Sequence, residues 1–158
     1  MKHTILVAIV ILGVAGTARA GGLPGSIGVG VEEEISGVGG ISVNYDAGKF
    51  HVGGALSFED PAGADNSIFE IGGRFFYHLA STASSDFSIG GGLGIRHNDN
   101  GGNATTALYL EPGFQIRAFI TSNVALSFTA AISVGAADAS DVVINGDLTG
   151  TAGVHYYF

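Results

Sequence analysis

Cysteine is absent from all 158 residues, which excludes a disulfide framework as a source of stability. Basic residues are few. Six Lys and Arg stand against 14 Asp and Glu, a balance that argues against nucleic acid or an anionic lipid surface as a partner. Beyond residue 20 no stretch keeps the apolar period of an amphipathic helix. The chain holds 27 glycines, each of which weakens a helix interior, so the composition points to an all-β fold.

The opening "MKHTILVAIVILGVAGTARA" has a basic start at Lys2, an apolar stretch from Ile5 to Ala15 and a small-residue site at Ala18-Arg19-Ala20. The apolar stretch is short of the ~20 residues that a spanning helix needs. The pattern therefore predicts a cleaved signal peptide over 1–20, with Gly21 as the first mature residue. Lys2 and Arg19 would leave with it, so four basic residues would face 14 acids at a net charge of −10. Residues 21–158 are enough for one domain.

Alternation of side chains along that domain predicts eight strands: Ser26–Ile35, Gly39–Tyr45, Phe50–Glu59, Ile68–Leu79, Phe87–His97, Thr106–Ala118, Val124–Val134 and a C-terminal strand ending on Phe158. One face carries Ile, Leu, Val, Phe and Tyr, for example Phe69, Ile71, Phe75, Tyr77 and Leu79 in the fourth strand. The other is mostly Gly, Ser, Ala and Thr with a few ionised groups, and lysine is nearly missing from it. A soluble ligand-binding barrel of eight strands would show the reverse, with a charged outer face. Small residues suit the narrow bore of an eight-stranded barrel, and bulky apolar ones suit a lipid-facing exterior.

Five mid-strand ions, Glu70, Arg74, Arg96, Glu111 and Arg117, share the small face. Chance would place all five there about once in 32 trials, since a strand has two faces. An arginine facing lipid at the midplane would cost ~2–4 kcal/mol. Glu33 has the opposite parity but lies near a strand end. The expected fold is thus an all-β, eight-stranded antiparallel up-and-down transmembrane β-barrel spanning residues 21–158, with free sheet edges removed by closure.

With both termini on one side, the turns Asp46–Lys49, Ala80–Asp86 and Ile120–Asn123 share that side. The outward aromatics Tyr45, Phe50, Tyr77, Phe87, Tyr156 and Phe158 then form a girdle at the periplasmic rim. Loops Asp60–Ser67, Asn98–Ala104 and Gly135–Gly146 face outward and hold Asp60, Asp65, Asp99, Asp138 and Asp141. The Asn145-Gly146 pair in "DVVINGDL" is a turn signal that would extend the last hairpin above the membrane.

Together the signal peptide, the eight strands and the aromatic-terminated last strand resemble the small eight-stranded outer-membrane barrels of Gram-negative bacteria, the OmpA/OmpX-like group. The stretch "LEPGFQIRAFITSNVALSF", Leu110–Phe128, is similar to that group's sixth strand, short periplasmic turn and seventh strand. The resemblance implies residence in the bacterial outer membrane, with its lipid and the barrel-assembly machinery as partners, a monomeric state, and a role for Tyr156 and Phe158 as the assembly signal.

Residues that could carry chemistry are sparse. Glu70, Arg74, Arg96, Glu111 and Arg117 are expected to form an interior ion network, either a structural plug or a narrow ion path, since an unpaired buried charge is costly. His51, His78, His97 and His155 are expected at structural or rim positions. None has metal-ligand spacing and no H-E-x-x-H motif exists. His97, in "RHNDN" with Asp99 close by, would be the base if the protein were a lipid A deacylase-like enzyme, but no serine is paired with it in sequence. Pro112 falls mid-strand, where a bulge with Gly113 is expected. No calcium-loop spacing or phosphate loop is present, and no cofactor is expected. The expected function is non-enzymatic: envelope integrity, surface interaction or adhesion, with an extracellular ligand held by the loops. A lipid-modifying enzyme and a small-solute channel are the alternatives.

Overall fold

The computed structural model describes residues 24–34, 36–61, 66–138 and 151–158. The expected signal peptide and the Asn145-Gly146 turn lie outside them. The strands are β1 (Ser26–Glu33), β2 (Gly39–Asp46), β3 (Phe50–Glu59), β4 (Asn66–Ser81), β5 (Ser85–Asn100), β6 (Ala104–Phe119), β7 (Val124–Ala131), β8 (Val134–Ala137) and β9 (Thr151–Tyr157). Chain neighbours pair antiparallel from β1 through β7, and β9 pairs with both β7 and β1. The sheet therefore closes. β7 and β8 both pair with β6 and are two pieces of one stave, so the nine segments make an eight-stranded closed antiparallel barrel.

Alternation sorts the side chains onto two sides of this wall. Outside stand Ile27, Val29, Val31, Ile41 and Val43, all exposed, and their equivalents on the other strands, most of them exposed too. Inside are Glu32, Asn44, Asp46, His51, Glu70, Asp86, Gln115, Arg117 and His155, all buried. Few apolar side chains are buried among the described residues: Val38, Phe76, Phe119, Ala125 and Tyr157. Phe119, Ala125 and Tyr157 cluster at the end where the termini lie. There the chain end is fixed to β1, with Phe158 N donating to Ile27 O at 3.0 Å and Ile27 N to Phe158 O at 3.1 Å.

The wall is uneven in height. β4, β5 and β6 have 16 residues each, whereas β1 and β2 have 8. At roughly 3.3 Å per residue the tall side overtops the low side by many ångströms. The connection between β1 and β2 leans into the space this leaves.

Three local expectations change. The turn between β4 and β5 is only Thr82–Ser84, so Asp86 belongs to a strand, faces the bore and is buried. A register shift between His78 and Ala80 lets the strand run on to Ser81, with Leu79 as the extra residue of a bulge. At Pro112 there is no bulge. Gly113 pairs with Ala131 and Leu110 with Val134, so two residues face two across the gap. The ladder thins instead. Ile132 N donates to Pro112 O at 3.0 Å, but proline returns no N–H, and the stave divides into β7 and β8 at that point.

Candidate functional site

The polar bore is built in three tiers. Nearest the termini, Arg117 from β6 stands between Asp46 at the end of β2 and Asp86 at the start of β5. Its Nη2 lies 2.6 Å from Asp46 Oδ2 and 2.6 Å from Asp86 Oδ2. Nη1 donates to the Tyr157 hydroxyl at 3.1 Å, and the guanidinium carbon is 5.4 Å from the Phe119 ring centre and 5.9 Å from that of Tyr157. His78 Nε2 is 3.1 Å from Arg117 Nη2 and 2.9 Å from His51 Nδ1. The ligand atoms of Asp46, His78 and Asp86 lie within 4.8 Å of one another, the spread of a metal site. Arg117 Nη2 bonds all three residues, so the arginine already supplies the positive charge that a cation would bring.

In the middle tier Glu32 of β1 is the hub. It is ion-paired to Arg74 of β4. It also accepts from Gln115 Nε2 at 3.3 Å and Ser127 Oγ at 3.3 Å, and His155 Nε2 is 3.5 Å from its other oxygen. Arg74 also donates to Asn44 Oδ1 at 2.9 Å, and His155 Nε2 meets Ser42 Oγ at 2.5 Å. Six staves thus meet across the axis. A bore filled this way pairs its buried ions with one another, which lowers the cost of their burial, while Glu32 Oε2, Arg74 Nε and Arg117 Nε stay without a hydrogen-bond partner.

The third tier closes the end away from the termini. Arg96 Nε is 3.1 Å from Glu70 Oε1, and Glu70 Oε2 accepts from Ser57 Oγ at 2.7 Å and Gly39 N at 3.4 Å. Glu111 Oε1 accepts the backbone N–H of Ser36 at 2.5 Å. Ser36 belongs to the β1–β2 connection, which is folded on itself by Gly37 N to Glu34 O at 2.8 Å and Glu34 N to Val38 O at 2.7 Å. Gly37 has φ +83° there, a conformation that favours glycine. The connection points down the bore. Val38 is fully buried against Gly72 and Gly94, and a side chain at Gly92 would begin 2.9–3.2 Å from the Glu34 carboxylate. The glycines that thin the tall wall are what make room for it. Burial of the Glu34 carboxyl, and secondarily the Glu111 carboxylate nearby, raise its pKa from 4.5 to about 7.

All five ions read from the sequence, Glu70, Arg74, Arg96, Glu111 and Arg117, do lie on the bore side. Their partners differ from expectation. Glu70 and Arg96 pair with each other, while Arg74 takes Glu32, and Arg117 takes Asp46 and Asp86. Glu32, Glu34, Asp46 and Asp86 were not singled out as candidates, nor were His51, His78 and His155 as bore residues. Strand parity puts Glu32, Glu34 and the three histidines on the same face as the small residues, and that is the signal that could have found them. Extending the second and fifth strands by one step would have added the two aspartates.

The exterior aromatics stand near the termini end. Tyr45, Tyr77, Phe87 and Phe158 are exposed there, and Phe50 and Tyr156 are partly covered. Phe50 lies 5.4 Å from Phe75 and Phe87 5.8 Å from Phe114, centre to centre. At the opposite rim His97 Nδ1 meets Thr106 Oγ1 at 2.9 Å, and the serine nearest by register, Ser67, stands opposite Asp99. Asp138 Oδ2 accepts from Thr106 N at 2.8 Å, and Asp65 and Asp141 lie outside the described residues. No protein-family model, curated protein or solved structure matches the chain.

Proposed function

We propose that this protein is an integral outer-membrane β-barrel of a Gram-negative envelope, without enzymatic activity, serving envelope integrity or surface attachment. The observation that carries the reading is the inverted partition of side chains. Among the described residues, twenty-seven large hydrophobic ones are exposed, including Phe58, Ile41, Leu93, Leu110 and Phe128, while Arg117 and the carboxylates of Glu32, Asp46, Glu70, Asp86 and Glu111 are buried. A soluble protein rarely leaves so large an apolar surface uncovered, whereas lipid is a matching solvent for it. Closure of the sheet supports the same reading, because a hydrocarbon environment tolerates no free edge.

Tyr45, Phe50, Tyr77 and Phe87 are the interfacial girdle in this reading, and Tyr156 and Phe158 the signal read by the assembly machinery. The resemblance of Leu110–Phe128 to the OmpA/OmpX-like group supports it independently of the side-chain partition. The three ionic tiers act as a structural plug, and the loops at the end away from the termini are the parts available to an extracellular ligand.

Dilution of the urea-unfolded mature chain into phosphatidylcholine vesicles tests the proposal. The expected result is a protease-resistant band whose gel mobility changes on boiling, and unchanged lipid A mass spectra in cells that express the protein. A folded, monodisperse chain in plain buffer without detergent would overturn it.

A further inference from the structure

We propose that Glu34, Ser36, Gly37 and Val38, between β1 and β2, act as a proton-latched stopper, seated in the mouth of the bore while Glu34 carries a proton and released when Glu34 ionises. The proposal stands on the geometry of the barrel mouth and holds whether or not the outer wall meets lipid.

Three observations carry it. Among the described residues, the bonds that seat the connection on the tall wall run to carboxylates: Ser36 N to Glu111 and Gly39 N to Glu70. Its apolar anchor, Val38, is fully buried and lies against Gly72 and Gly94 of the tall wall, where no side chain stands in its way. The acid beside that anchor is poorly served, because Glu34 Oε2 is buried with no hydrogen-bond partner.

The groups around Glu34 decide the sign. From β6 comes the Glu111 carboxylate, and from β1 Glu33 lies alongside. β4 offers Arg74, whose Nη1 is paired with Glu32 and Nη2 with Asn44, while its Nε is buried without a partner. β5 offers Gly92, with Arg96 above it committed to Glu70, and β7 offers the uncharged Thr129. Among the described residues no ion pair joins either arginine to Glu34, and a negative charge there is opposed by burial and by Glu111. With the carboxyl raised from 4.5 to about 7 in the seated state, seating is strongest below pH 4.5. It weakens as the pH rises towards 7 and is constant above that.

The absence of cysteine makes single-cysteine reporters clean. In detergent micelles, V38C is labelled with a charged maleimide from pH 5 to pH 8, and its rate is divided by that of A83C in the exposed turn at the other end. That division removes the intrinsic pH dependence of the thiol. The expected ratio rises more than about tenfold between pH 5 and pH 7 and then levels. In V38C/E34Q it should stay low throughout. S36C is a second reporter in case V38C itself unseats the segment. A ratio independent of pH at both positions, or a rise that persists with E34Q, overturns the stopper. A gel-mobility shift on the same samples reports separately whether the barrel is folded.

Discussion

Arg117 on β6 and Asp86 on β5 face each other in register, and the arginine Nη2 reaches the aspartate Oδ2 at 2.6 Å inside the bore. The same nitrogen reaches Asp46 at 2.6 Å, so one guanidinium is the shared partner of two buried carboxylates. Removing it strands both. Arg117→Met is therefore expected to lower unfolding free energy by about 3–5 kcal/mol, read as a drop in the urea midpoint by circular dichroism. Adding Asp46→Asn and Asp86→Asn should recover much of that loss, because the charges that needed the arginine are then gone. A single Arg117→Met variant as stable as the parent would contradict this account of the lower tier.

Pro112 offers a gain rather than a loss. Its carbonyl already accepts from Ile132 N, and in an antiparallel hydrogen-bonded pair the returning bond runs from the N–H of the same residue. Pro112→Ala restores that donor. A stabilisation of about 0.5–1.5 kcal/mol is expected, with β7 and β8 joined as one ladder. An unchanged or lower urea midpoint would show that the proline ring contributes more than the missing bond.

The barrel is legible because period-two alternation needs no long-range information, and it runs along the wall with an interruption at the Leu79 bulge of β4. The five bore ions followed from the same parity. Pairing did not, since Arg74 and Glu32 lie 42 positions apart in number and only closure through β9 brings β1 round to the rest of the bore. Asp46 and Asp86 were lost for a different reason: each sits one step from a turn, where strand and loop look alike in composition. The stopper was illegible because its cause is a mismatch in strand heights, which no local window of sequence contains.

Glu34 links that stopper to overall stability. Its carboxyl is raised in the folded state from 4.5 to about 7, so the folded chain binds more protons than the unfolded one between those values. The stabilising contribution is complete below pH 4.5 and is lost as the pH rises to about 7. Glu34→Gln should flatten this part of the stability–pH curve and leave the variant more stable than the parent at pH 8. Urea titrations of both chains at pH 5 and pH 8 measure it, and a parent curve with no fall across that window would count against the buried carboxyl.

Phe158 separates folding from assembly. Its backbone is tied to Ile27, but its side chain is exposed, so Phe158→Ala is expected to change unfolding free energy by no more than about 0.5 kcal/mol in refolded protein. If the terminal aromatic is the proposed assembly signal, the same variant should insert poorly in cells, read as less heat-modifiable protein in the outer-membrane fraction. Equal insertion of the variant and the parent would remove the signalling role and leave the barrel untouched.

Leu93 gives the sharpest test of what surrounds the wall. It lies near the middle of β5, points outward and is half exposed, with Gly73 and Leu110 as its register partners. In water an arginine there would be solvated, and a surface change of this kind is worth roughly ±0.5 kcal/mol. In a bilayer the same arginine sits near the midplane and costs ~2–4 kcal/mol. Leu93→Arg should therefore lower stability by that larger amount in phosphatidylcholine vesicles, while a girdle position such as Tyr45→Arg should lose ~0–1 kcal/mol, because the interface is wet. The contrast between the two positions carries the test, since a general intolerance of arginine on this wall would penalise both alike. Equal, small losses at both would mean that the exterior is not held in lipid.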